Sequence, residues 1–199
     1  MSAITFEKRS PHRGSPHRGW AIMEHGAVAL VVIILLALVL GGISMLLGRK
    51  DVGVEVSNYQ NLITSAQGLL KDSSGYNFSS GTKMTGTLIQ VGGVKGITIQ
   101  GARSSGTATL WNSWGGQIVL APVASNGFNN GFTLTSEKIP QEACIAIVTR
   151  MSASGTASGI TINSASHEDG LVSLESAGSE CLADSGRTGQ NKLTFTING

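Results

Sequence analysis

Few residues of this 199-residue chain have types and spacings that could do chemistry. One carboxylate, Glu24, stands at the mouth of a run, Gly26 to Gly48, that contains no Asp, Glu, Lys, Arg or His. Near the middle of a membrane segment a carboxylate costs roughly 2.5 to 3.5 kcal/mol, less at the interface, and is rarely kept without a partner. The chemistry Glu24 calls for is therefore a cation to pair with. The other reactive pair is Cys144 and Cys181, both beyond the apolar run. In an oxidising compartment they bridge, which for a loop of this size stabilises by roughly 3 to 4 kcal/mol in the chain-entropy model. Two free buried thiols are the alternative. Neither cysteine belongs to a C-x-x-C pair and no His lies at ligand spacing from them, so zinc is not expected.

Other candidates for chemistry are weaker. "H167EDG" reads as a solvated turn rather than a metal corner, and Trp111 and Trp114 as core or turn aromatics rather than ligand platforms. "N77FS" is an acceptor for glycosylation only in a eukaryotic secretory chain, which this does not resemble. There is no P-loop, G-x-S-x-G or H-E-x-x-H. The expectation is a protein with no catalytic residue, no cofactor and no metal.

The elements that must position Glu24 and the cysteines follow from composition. The 23 residues from Gly26 to Gly48 exceed the about 20 that span hydrocarbon as helix, so this is read as a membrane segment. Beyond it the chain is rich in Gly, Ser and Thr, with 13% charged and 5% aromatic residues overall, a mix that suits strands and turns. Lys8, Arg9, Arg13 and Arg18 against Glu7 give the first 19 residues a charge of +3, leaving −1 for the rest of a chain whose total is +2. A near-neutral remainder argues against nucleic acid, which needs a basic face. The basic leader reads as a cytoplasmic flank, although Arg49 and Lys50 weaken the asymmetry, and the head is expected outside.

The leader contains a tandem "SPHRG SPHRG" over residues 10 to 19, whose prolines and glycines oppose helix. A secretory signal has an apolar stretch of about 7 to 15 residues and a small-residue cleavage site after it. Here the stretch is longer and "GGISMLLGRKD" offers no such site, so processing is expected on the cytoplasmic side.

Past Gly48, apolar residues at Val52, Val56, Tyr59, Leu62, Ile63, Ala66, Leu69 and Leu70 recur at three and four. This predicts that the helix continues amphipathically to about residue 72, from a start near 24, and stops at "KDSSGYN". Residues 82–91 form a short element, helix or strand. "G116QIVLAPVA" and "F132TLTSEKI", joined by "SNGFNNG", read as the first strands and an antiparallel hairpin. Pro140 starts a helix with Glu142 in its first turn and Arg150 near its end, closed by "SASGTASG". "GITIN" at 159–163 and "KLTFTI" at 192–197 alternate as strands. The amphipathic half-helix would cover one face of this sheet.

The opening residues carry a resemblance. A basic leader ending in Gly19, apolar Trp20 next, Glu24 fifth after that glycine, then a long apolar helix: this resembles the prepilin-peptidase signature of class III signal proteins. Cutting after Gly14 would put Gly19, not a carboxylate, in the fifth place, so only Gly19 fits. The long leader, the non-Phe first residue, "W111NSWGGQI" before the expected first strand and the cysteine pair resemble type IVb pilins. "GWAIMEHGA" is especially similar to the PilS-type major pilins of conjugative thin pili and related enteric pili.

The resemblance implies an α+β type IV pilin fold. Its parts would be a cleaved leader (1–19), a transmembrane and assembly helix (20–48), an amphipathic continuation (49–72), and a β-rich head (73–199) with short helices and one disulfide bounding 144–181. It implies cleavage between Gly19 and Trp20 by a prepilin peptidase, methylation of the Trp20 amine, and assembly promoted by Glu24 meeting a neighbouring subunit's Trp20. The implied partners are further copies in a homopolymer, the peptidase and the pilus assembly machinery. The prepilin would sit in the inner membrane with its head in the periplasm, then pass to an extracellular filament with an unknown receptor. No proline kinks the membrane helix, so any melting would fall to Gly41 and Gly42, although small residues are also tolerated in membrane helices. The competing readings are a minor pilin or secretion pseudopilin and, in another class, a monomeric membrane-anchored extracytoplasmic binding module.

Overall fold

The computed structural model describes residues 18–125, 128–186 and 188–198, with side chains at 30–37, 52–124, 128–186 and 188–198. The chain divides into two units, Met1–Leu46 and Leu47–Gly199, and helix α1 (Arg18–Leu69) contributes to both. In the first unit the side chains at 30–37 are all exposed, Leu30 to Leu36 at 47 to 65%. Among the described residues no helix is long and apolar enough to cross a membrane. Most of the span expected at 26–48 lies outside the described side chains, as does the leader.

In the second unit, α1 buries Val52, Val56, Tyr59, Leu62, Ile63 and Ala66 on one face, and Leu70, just past its end, is buried as well. Leu69 departs from the expected stripe and is 53% exposed. The helix stops because Asp72 competes for the backbone: its Oδ1 accepts the Ser74 amide at 2.7 Å, and Asp72 and Gly75 close a bridge. The open element at 82–91 is a helix, α2 (Gly81–Gln90), capped by Ser80, whose Oγ accepts the Lys83 amide at 3.3 Å. Met84, Leu88 and Ile89 form its buried face.

Seven antiparallel strands follow: β1 (Thr98–Gln100), β2 (Thr109–Trp111), β3 (Gln117–Ser125), β4 (Phe128–Ile139), β5 (Gly159–Ile162), β6 (Ala165–His167) and β7 (Asn191–Asn198). Their order across the sheet is β1-β2-β3-β4-β7-β5-β6. The β3–β4 hairpin forms as expected, with Leu120 opposite Leu134, but β4 begins at Phe128 rather than at 132, so the connector is tighter than read. "G116QIVLAPVA" is not the first strand: β1 and β2 precede it, and Trp111 belongs to β2. β6 was likewise not foreseen. All three are three-residue strands, too short to show alternation.

The last strand is inserted in the middle. Phe195 on β7 lies opposite Leu134 of β4 on one side and Ile160 of β5 on the other. Alternation then turns Phe132, Leu134, Leu193, Phe195 and Ile197 into one buried face, which together with α1 forms a single core. Helix α3 (Gln141–Ser154) leaves from Pro140 and stops where Gly155 adopts φ 62°. It adds Ile147, Val148 and Met151 to the core. A further helix, α4 (Leu174–Glu180), follows β6.

Candidate functional site

Cys144, in the first turn of α3, and Cys181, at the end of α4, form a disulfide with Cα atoms 6.0 Å apart. Both are buried, and the bond between them replaces the reading as free buried thiols. The bridge encloses β5, β6 and α4 in a 37-residue loop. Hydrogen bonds hold its exit: Gln141 Nε2 donates to the Cys181 carbonyl at 2.9 Å and the Gln141 amide donates to Asp184 Oδ1 at 2.8 Å.

Asn191, the first residue of β7, is fully buried and sews the segment after the bridge to the sheet. Its Nδ2 donates to the carbonyls of Ile139 at 3.0 Å and Leu182 at 2.9 Å, while its Oδ1 accepts the Leu182 amide at 2.7 Å. That same Oδ1 accepts Asn163 Nδ2 at 3.0 Å, which also donates to the Glu180 carbonyl at 2.8 Å. Sequence reasoning missed both asparagines. The only available signal was an Asn opening a strand that otherwise alternates.

A second polar cluster pins α1 to the sheet. Glu55, 2% exposed, accepts the Ser113 amide at 2.7 Å and the Ser113 hydroxyl at 2.6 Å through Oε1. One turn later the Tyr59 hydroxyl meets Ser136 Oγ on β4 at 2.8 Å. Asn112 completes the cluster, donating to Ser136 Oγ at 2.9 Å and to the Glu137 carbonyl at 2.7 Å. Gly116 follows because a Cβ there would collide with that carbonyl. Burial, then the neighbouring Glu55 charge, pushes the Tyr59 phenol far above its ordinary range; burial also raises Tyr76. These are structural joints rather than reactive groups.

His167, at the end of β6, pairs with Glu180 at 2.8 Å across the disulfide-bounded region. "H167EDG" is therefore not a plain solvated turn, although the described residues contain no cluster of metal-ligating type. Gly19, Trp20 and Glu24 lie in the first turns of α1, and their side chains fall outside the described residues. The structure thus brings the two cysteines together and leaves the N-terminal trio untested.

A helix laid along one face of an antiparallel sheet, with the C-terminal region closed by a disulfide, is the plan of a pilin head. The PilS model, described as PilS N terminal, matches residues 49–198. The crystal structure of the type IVb pilin from Salmonella typhi is 57% identical, with a TM-score of 0.66, over 74% of this chain and 99% of that one. The NMR structure of the type IVb pilin PilS from Salmonella typhi is also 57% identical, with a TM-score of 0.54, over 76% and 99%. Among curated proteins none matches. The chain belongs to the PilS family of type IVb pilins, whose members are structural subunits and not enzymes.

Proposed function

We propose that this chain is the major subunit of a type IVb pilus that serves in conjugative mating-pair contact or adhesion. The observation that carries the reading is the family match over 49–198, preceded in the same chain by Gly19, Trp20 and Glu24 at the spacing of a prepilin-peptidase signature.

In this reading the peptidase cuts after Gly19, and the new Trp20 amine, then methylated, gains a positive charge at about the depth of Glu24. Two unit charges about 4 Å apart at an effective dielectric near 20 attract by about 4 kcal/mol, comparable to the cost of keeping the carboxylate in an apolar setting. Within one chain Trp20 and Glu24 stand one helical turn apart. A staggered neighbour turns the same pairing into a device that sets register.

The apolar helix exchanges lipid for copies of itself, with no water exposed in either state. Exposure of the apolar side chains at 30–37 on the isolated chain supports such a cover. Small residues at Ala27, Ala29, Ala37, Gly41, Gly42 and Ser44 permit close helix approach. The test is to express the full chain with a prepilin peptidase and assembly machinery, then shear the cells. The chain as the principal protein of the sheared filaments supports the reading; the chain retained as a membrane monomer contradicts it.

A further inference from the structure

The head's charges are sorted by position. Between Asp72 and Glu137 the chain has no acid and three bases, Lys83, Lys95 and Arg103. Between Arg150 and Arg187 it has no Lys or Arg and five acids, Glu168, Asp169, Glu175, Glu180 and Asp184. The basic stretch builds α2, β1 and β2 at one end of the sheet, and the acidic stretch builds β5, β6 and α4 at the other. Lys83, Lys95 and Arg103 are exposed and enter no ion pair among the described residues. Of the five acids only Glu180 has an ionic partner there, His167.

Each end also carries apolar surface. At the basic end Leu69 is 53% and Val91 51% exposed, beside a groove of about 330 Å³ formed by α1 and the loop after α2, with Lys95 and Gly93 in its wall. At the acidic end Leu171 and Leu174 project at 66 and 69% exposure, flanked by Asp169 and Glu175. A groove with Lys95 in its wall at one end and a pair of leucines flanked by acids at the other are complementary. Because they lie on different surfaces of one head, the contact they make is heterologous, the kind that propagates as a fibre when its rotation does not close a ring.

We propose that the groove at Leu69, Gly93 and Lys95 receives Leu171 and Leu174 of a second copy, with Lys95 against the acidic rim, as the head-to-head contact of the filament. The proposal rests on the pilin reading and names the surfaces that reading leaves open. The apolar contact supplies the attraction. The opposed charges select the orientation, because like ends brought together place bases against bases or acids against acids.

The experiment uses the full chain assembled into filaments on cells. Lys95→Glu and Glu175→Lys, each alone, are expected to lower the yield of sheared filaments at least about tenfold, because each sets like charges face to face. The double variant is expected to recover to within about twofold of wild type, since the pairing is restored with its signs exchanged. Both side chains are exposed, and unchanged thermal unfolding of each variant checks that the head still folds. A second readout mixes copies carrying Lys95→Cys with copies carrying Glu175→Cys and treats the filaments with a short thiol cross-linker. Dimers that form only in the mixture support the contact. Normal yields from both single variants, or filaments without mixed dimers, overturn it while leaving the pilin reading standing. Absence of filaments from the wild-type chain overturns that reading, and the contact with it.

Discussion

The hydroxyls of Tyr59, on α1, and Ser136, on β4, meet at 2.8 Å although 77 residues separate them in sequence. This buried contact, with Glu55 gripping Ser113 one turn earlier, decides how the amphipathic half-helix lies on the sheet. Apolar packing alone allows a helix to slide or rotate; polar groups that must be satisfied in the dry interior do not.

Removing the Tyr59 hydroxyl takes one of two side-chain partners from the buried Ser136 Oγ, leaving it Asn112 alone. Tyr59→Phe is expected to lower head stability by about 1 to 2 kcal/mol, read from urea unfolding midpoints at neutral pH.

The same burial predicts an alkaline limit. Tyr59 and Tyr76 both titrate above their ordinary value of 10.0 in the folded head. In the unfolded chain they lose protons near that value, so the stability from keeping them neutral is complete below about pH 10 and is lost as pH rises beyond it. The expected slope for Tyr59 approaches about 1.4 kcal/mol per pH unit, and Tyr76 adds to it in the same direction. Unfolding measured from pH 8 to 11 should fall off above 10, and less steeply in Tyr59→Phe.

Asn191→Ala removes the side-chain partner of the Ile139 and Leu182 carbonyls and of the Leu182 amide. At about 1 to 3 kcal/mol for each orphaned group, the loss should reach at least about 3 kcal/mol. Calorimetry of the head checks it, and protease cleavage between residues 181 and 191 should rise in parallel.

Cys144→Ser opens the 37-residue loop closed by the bridge to Cys181. The chain-entropy model gives a loss of roughly 3 to 4 kcal/mol, visible as a lower denaturant midpoint. Reductant should reproduce the loss in wild type and leave the variant unchanged.

Glu24→Ala removes the carboxylate without touching the Gly19–Trp20 bond. Cleavage is expected to proceed normally and filaments to be absent, checked by immunoblotting cells and sheared fractions side by side. Normal fibres from the variant would remove ion pairing from the account of assembly.

What could be read in the sequence was whatever rests on periodicity or on a rare residue. The α1 stripe from Val52 to Leu70 held at every position but Leu69 because a helix facing a core repeats every three to four residues. The β3–β4 hairpin was legible from two apolar runs joined by a connector with Asn-Gly chemistry. The bridge was legible because Cys144 and Cys181 are the chain's two cysteines. Strands β1, β2 and β6 were not, since three residues carry no period, and the long-range ladders that hold them depend on neighbours supplied by the fold. The insertion of β7 between β4 and β5 left no local trace. Glu55 and Asn191 look like ordinary surface residues until partners 58 and 52 residues away help bury them.

The central claim is that proteolysis creates the cation that Glu24 awaits, and the mass of the intact subunit from sheared filaments tests it most directly. The account predicts a chain beginning at Trp20, methylated on its amine and carrying one disulfide. A filament subunit that still begins at Met1 would contradict it.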